Sequence, residues 1–350
     1  MNKSVKGIAI VAAAMVTVGL LLTGIGFIAG GNQPIYLDRD GIHLGGREAG
    51  ETAGNLVSFS QDIDSFSSIS VDLDYYDVEL VPGDNFAVQG SYPSKEGKPD
   101  VKVENDTLVV KDRTHKGINI NIDLPGLIFN GNQPTIKIYY PENTKLKDVV
   151  IRCDASDLDF ENLTAEKAEF DLDFGKLELS DITANHITVT MDSGDCTMEK
   201  LTAANELVIK NDFGKTSLID SVAKTLKVDS SSGDVSLTNV TFEFGELYLD
   251  MGKLTGKNLK SEGLKAETDS GDVDLQGTLL GLTDVSCDMG KVTINPGASR
   301  DQFNYEFNAD MGSVSIEGDK VSGSMAINNG SAKNTLKIAT DMGDIQVVFN

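Results

Sequence analysis

The stretch DSSSGDVSLTNVTFEFGELYLDMGKLTGKNLKSEGLKAETDSGDVDL, residues 229–275, decides the fold. Three times within it a glycine is followed by a charged residue and then by alternating apolar and polar residues: SSGDVSL at Ser231, DMGKLTG at Asp250 and DSGDVDL at Asp269. The glycines of these units, Gly233, Gly252 and Gly271, are 19 residues apart. Outward from this stretch the unit recurs as DFGKLEL at Asp173, DSGDCTM at Asp192, DFGKTSL at Asp212, DMGKVTI at Asp288, DMGSVSI at Asp310 and DMGDIQV at Asp341. These copies add Gly175, Gly194, Gly214, Gly290, Gly312 and Gly343, and the successive intervals are 19, 20, 19, 19, 19, 19, 22 and 31. A weaker copy, DASDLDF at Asp154, has Ser156 in the glycine place.

Each period carries two short runs of period-2 alternation, such as Ala168, Phe170 and Leu172 before the turn and Leu177 and Leu179 after it. Alternation of this kind buries one face of a strand and exposes the other. Nineteen residues are too few for a strand, a crossover helix and a second strand, so the chain must coil, with each turn stacked on the last. The expected fold is all-β: a right-handed parallel β-helix, or β-solenoid, of ~19-residue turns. Residues not used to find the period test it. The position after each glycine reads Lys176, Asp195, Lys215, Asp234, Lys253, Asp272, Lys291, and the position before it reads Phe174, Ser193, Phe213, Ser232, Met251, Ser270, Met289. In-register stacking about 4.8 Å apart would place opposite charges, and large side chains over small ones, in adjacent turns. An outward column of Lys227, Glu246, Lys265 and Asp284 repeats the charge alternation.

Before residue 151 the chain remains β-rich without the period, with strand-like runs at 69–73, 118–124 and 136–140 among others. Residues 60–150 read as an irregular β cap on the solenoid of residues 151–350, and residues 31–59, rich in Gly and polar side chains, as a spacer. Residues 7–30 carry no charge and follow Lys3 and Lys6. As a helix they would be about 36 Å long, enough to cross a hydrocarbon core of about 30 Å. The two lysines hold residues 1–6 in the cytoplasm, which predicts a single-pass cell-membrane protein with an extracytoplasmic C-terminal domain. The competing reading is a cleaved signal peptide, whose apolar region is usually shorter.

The formal net charge is -24, from 54 acids and 30 bases, which excludes nucleic acid as a partner. The three cysteines, Cys153, Cys196 and Cys287, are too widely spaced for a disulfide framework or a metal motif and fall on inward positions, as buried thiols do. The column Asp173, Asp192, Asp212, Asp250, Asp269 and Asp288 stacks like charges. Ca²⁺ would offset that repulsion, but an Asx turn needs only an Asp accepting an amide and a Gly at positive φ. His43, His115 and His186 stand apart from any ligand pattern. Arg152 and Lys210 occupy the outer face, one turn before Asp171 and Asp229, where a charge ladder explains them.

The SGD and MGK turns, the opener DYYDVEL at Asp74 and the passage IYYPENTKL before the first repeat resemble the bacterial putative-adhesin family of cell-surface β-strand-repeat proteins. The resemblance covers about residues 60–350 and implies membrane anchoring in some members and a genomic context of envelope-stress or regulatory genes. That family has no agreed catalytic residues to carry over, and the last two intervals depart from its period. The reading of the chain is a non-catalytic surface protein without a cofactor, meeting an envelope protein or glycan. The alternative is a polysaccharide lyase or hydrolase on a β-helix scaffold, which would need a cleft lined by converging acids and bases.

Overall fold

The computed structural model describes residues 35–38, 41–44, 56–112 and 133–349. The expected anchor at 7–30, the run at 118–124 and His115 lie outside these residues. Among the described residues no helix is long and apolar enough to cross a membrane. The chain divides into two compact units. In the first, 1–55 with 114–132, an antiparallel hairpin pairs Ile35–Asp38 with Gly41–Leu44.

The second unit, 56–113 with 133–350, is an all-β coil of about eight turns. A typical turn has a longer strand and a shorter one, as in Thr183–Ser193 with Cys196–Glu199, then Thr202–Phe213 with Thr216–Ile219. Each strand pairs in parallel with its counterpart one turn away, so that Phe170, Val189, Ile209, Val228 and Leu247 are successive partners. All five are buried, as are Leu177, Cys196, Thr216, Val235 and Leu254 in the column of the shorter strands. The period-2 pattern thus closes two sheets over one continuous core, in which each buried Val, Leu or Ile contributes about 1.5–3 kcal/mol.

Two corners separate the strands. One is the glycine turn. The other is a residue in the left-handed region at Asn162, Asp181, Lys200, Asp220, Asn239 and Asn258, with φ between 50° and 58°. Asn and Asp tolerate that region because their short polar side chains bond locally. Here they also bond along the axis. Asn239 Nδ2 donates to Asp220 Oδ1 at 2.7 Å, and Asn258 Nδ2 donates to Asn239 Oδ1 at 2.9 Å.

Both ends of the coil abandon sequence order. At the N-terminal end, Ser68–Leu73 stacks in parallel on Leu146–Ala155, Thr107–Lys111 stacks on Ser68–Leu73, and Asp100–Glu104 closes the row antiparallel. Leu56–Asp62, Ala87–Pro93, Thr135–Pro141 and Asp77–Gly83 form a separate four-stranded sheet. At the other end, Asn334–Met342 pairs with Val273–Met289 on one side and with Phe303–Ile316 on the other. The chain therefore lays down its outermost turn first and then inserts the last turn beneath it. Asp319–Ile327 folds back antiparallel on Phe303–Ile316 and ends the row. This accounts for the intervals of 22 and 31: in space the glycines run Gly290, Gly343, Gly312. The inserted order also keeps the charge alternation, as Asp272, Lys291, Asp344 after the glycines and Asp284, Lys337, Glu306 on the outer face.

Candidate interaction surface

The glycine corner is the most regular exposed feature of the coil. The glycines stack so closely that a Cβ on Gly194 would lie 1.7 Å from the Gly175 carbonyl oxygen, and one on Gly233 would lie 1.8 Å from that of Gly214. From Gly175 to Gly290 the φ angles lie between 132° and 156°, a region that L side chains rarely enter. Gly312 and Gly343 fall outside that range, yet a Cβ on either would meet a neighbouring glycine carbonyl at 1.8 Å. Close approach of turn to turn is the requirement common to all nine.

The acids of the corner divide their work in a way the Asx-turn reading does not anticipate. It is the aspartate after the glycine that accepts a backbone amide, and it does so from the next turn. Asp157 Oδ1 accepts from Lys176, Asp195 from Lys215, Asp234 from Lys253 and Asp272 from Lys291, each at 2.9 Å. Asp344 does the same for Ser313, accepting both its amide at 2.9 Å and its hydroxyl at 2.8 Å. The alternation of Lys and Asp thus has a backbone role. Every second turn supplies a carboxylate, which can aim at an amide, whereas an ammonium there could only donate. The Lys176 ammonium itself pairs with Glu178 of its own turn.

Asp173, Asp192, Asp212, Asp250, Asp269 and Asp288, before the glycines, are all exposed and stand in a row that Ser231 interrupts between Asp212 and Asp250. Asp212 accepts from the Ser231 hydroxyl at 3.3 Å. Burial, and then the carboxylates of Asp154, Asp192 and Asp171, push the Asp173 carboxyl above the usual range. Among the described residues no group of three or more His, Cys, Asp or Glu is arranged to hold a metal ion.

Between the acid row and the glycines runs an apolar stripe. Phe174, Ser193, Phe213, Ser232, Met251, Ser270, Met289 and Met342 are successive partners along the axis. Phe174 is 55% exposed, Phe213 59%, Met251 56% and Met289 46%, well outside the core.

Other candidate residues sit in structural roles. Cys153, Cys196 and Cys287 are free and buried, and burial pushes the first two thiols up to about 12 and the third to about 11. Arg152 holds Glu169 at 2.5 Å and Asp171 at 3.6 Å. Lys210 stacks beside Asp229, and His186 contacts Asn205 at 3.3 Å. A shallow groove of about 580 Å³ follows the edge of the coil past Ala203, Ala223, Phe242 and Ser261. Its charged members are Lys224, Glu243 and Glu262, one from each of three successive turns, and Lys260, two residues before Glu262, with no His or Cys among the lining residues.

The profile of the Toastrack DUF4097 family matches residues 66–205 and again 185–348, which together span the coil. The chain belongs to that family. The family resemblance expected from the SGD and MGK turns is thereby shown. A comparison with curated proteins finds no match. Among solved structures, a putative adhesin from Bacteroides fragilis is similar at 14% identity and a TM-score of 0.30, with 85% of this chain and 97% of that one covered. A putative lipid binding protein from Parabacteroides distasonis gives 13% and 0.37 over 84% and 97%. A putative adhesin from Parabacteroides merdae gives 11% and 0.36 over 85% and 98%.

Proposed function

We propose that the chain is a non-catalytic interaction protein of the cell surface. On this reading residues 7–30 hold it in the cell membrane, the coil stands outside, and it serves envelope sensing or regulation by engaging an envelope protein or glycan. The observation that carries the proposal is the uniformity of the outer faces. Thr197, Ser217, Ser236, Thr255 and Asp274 repeat turn after turn, as do the acids and the Phe, Met and Ser of the corner. Catalysis requires a few unlike groups converging on one point inside a cleft, whereas a row of like groups offers many equal, weak contacts. The uncharged run behind Lys3 and Lys6 supports the anchor, and the net charge of -24 supports the exclusion of nucleic acid.

The test is to incubate the purified full chain with polyuronates, wall glycan and teichoic-type polymers, with and without Ca²⁺, following both retention and product formation. The expected result is retention without product. Turnover that a single outer-face substitution abolishes would overturn the proposal in favour of a polysaccharide-acting enzyme.

A further inference from the structure

The corner stripe is complementary to itself. From Ala155 to Met289 the column before the glycine alternates small and large over eight turns. Charge follows size in step. Each large residue, Phe or Met, belongs to a turn with Lys after the glycine, and each small one, Ala or Ser, to a turn with Asp. Large residues recur every second turn, about 10 Å apart, which leaves a gap one side chain wide over each Ser. Stacking within one chain explains why large alternates with small and why Lys alternates with Asp. It does not explain why the exposed apolar side chains remain uncovered.

We propose that two copies of the chain associate through this stripe, antiparallel, about a two-fold axis passing between Phe213 and Ser232. An isologous contact of this kind pairs each turn with its mirror in the count. Phe213 then enters the gap at Ser232 of the other copy, Phe174 the gap at Ser270, and Met289 meets Ala155 at the end of the alternating run, short of Met342. The same axis sets Lys215 against Asp234 of the other copy and Lys176 against Asp272, so that all eight charges of that column find an opposite. A parallel pairing would instead set Phe on Phe and Lys on Lys. The row of acids before the glycines faces its own copy across the axis and repels. Its one interruption is Ser231, which falls beside the axis opposite Asp212, where the two rows would come closest. Eight turns span about 38 Å, and a strip three residues wide covers roughly 400–600 Å² a side, the low end for specific contacts. The dimer is therefore weak in solution and depends on local concentration.

The experiment uses the full chain in mild detergent at high concentration. Phe174→Cys combined with Ser270→Cys places two thiols about 24 Å apart within one chain, five turns along the axis, but opposite each other between copies. The native cysteines are buried. A short bis-maleimide should give a covalent dimer with the double variant and background with either single variant. Phe213→Asp, at an exposed position, should weaken association in sedimentation by about ten-fold or more while the thermal midpoint stays put. Cross-linking by Phe174→Cys alone would show a parallel pairing and overturn the proposal. So would the absence of cross-link, or association unchanged by Phe213→Asp. Failure here leaves the surface-protein reading intact, since glycan or protein retention is measured separately.

Discussion

The turns from Leu158 to Asn295 and the turns beyond them use the same unit but succeed one another differently. In the first region each strand bonds to the strand 19 or 20 residues ahead, so sequence order and spatial order coincide. In the second, Asn334–Met342 enters between strands that precede it, and a fold-back strand takes the outermost place. Interior and end are under different constraints. An interior turn needs only to fit two copies of itself, whereas the last turn exposes a row of unpaired backbone groups that invites further strands. The antiparallel strands Asp100–Glu104 and Asp319–Ile327 meet that problem at opposite ends by breaking the repeat.

The largest expected effect separates these regions through their glycines. Gly233→Ala puts a methyl group 1.8 Å from a carbonyl oxygen in the middle of the stack, and should cost about 3–5 kcal/mol or prevent folding. Gly330→Ala, where a Cβ meets nothing within 4 Å, should change the unfolding free energy by less than about 0.5 kcal/mol. Equal losses at the two positions would mean that stacking distance is not what the glycines serve.

A smaller contrast runs through one buried column, in which Thr268, Cys287 and Thr340 are successive partners. The Thr268 hydroxyl is buried with no partner, whereas that of Thr340 donates to the Gly290 carbonyl at 3.5 Å. Thr268→Val should raise stability by about 1 kcal/mol and Thr340→Val should lower it by up to about 1 kcal/mol, both read from chemical denaturation.

The nine glycines, the two strand faces and the alternating columns were legible in the sequence because stacking sets the same demand on the same position of every turn. The division of labour among the acids was not, since an Asx turn and an acceptor for the next turn's amide both ask only for Asp near Gly. The second corner left a signal that period-2 counting passes over: Asn162, Asp181, Asp220, Asn239 and Asn258, with Lys200 filling the place between Asp181 and Asp220, recur at nearly the same interval as the glycines. The order of the last turns was also written in the charges. Lys291 calls for an acid in the next layer, and Asp344 meets that demand where Ser313 does not.

The smallest expected effect is a pH response of opposite sign in the two regions. The amide and hydroxyl of Ser313 hold the Asp344 carboxyl below the usual range. Its contribution is present above the unfolded value of about 3.9 and lost as the pH falls through the lower folded value. Burial first, and then neighbouring acids, hold Asp159 and Asp173 above the usual range. Their ionised forms disfavour the folded state, and that disadvantage is relieved as the pH falls through their raised values. Protection factors from hydrogen exchange should therefore rise slightly at Leu158–Glu161 on mild acidification and fall at Ser313 in stronger acid. A uniform response along the coil would contradict the local assignment.

The inserted turn also dictates an order of events. A coil whose turns follow the sequence can grow at its edge as chain emerges, each new strand docking on a finished one. Here Phe303–Ile316 has no finished neighbour on its inner side until Asn334–Met342 arrives, because its place is one layer further out. Until residue 342 has been made, the edge left by Val273–Met289 stays open, and the strand Phe303–Ile316 can wait only on its fold-back partner Asp319–Ile327 or dock one layer too deep. Closure of this end is thus a single late step involving three strands, so truncation anywhere within the last sixteen or so residues should unseal the whole end and not merely shorten it.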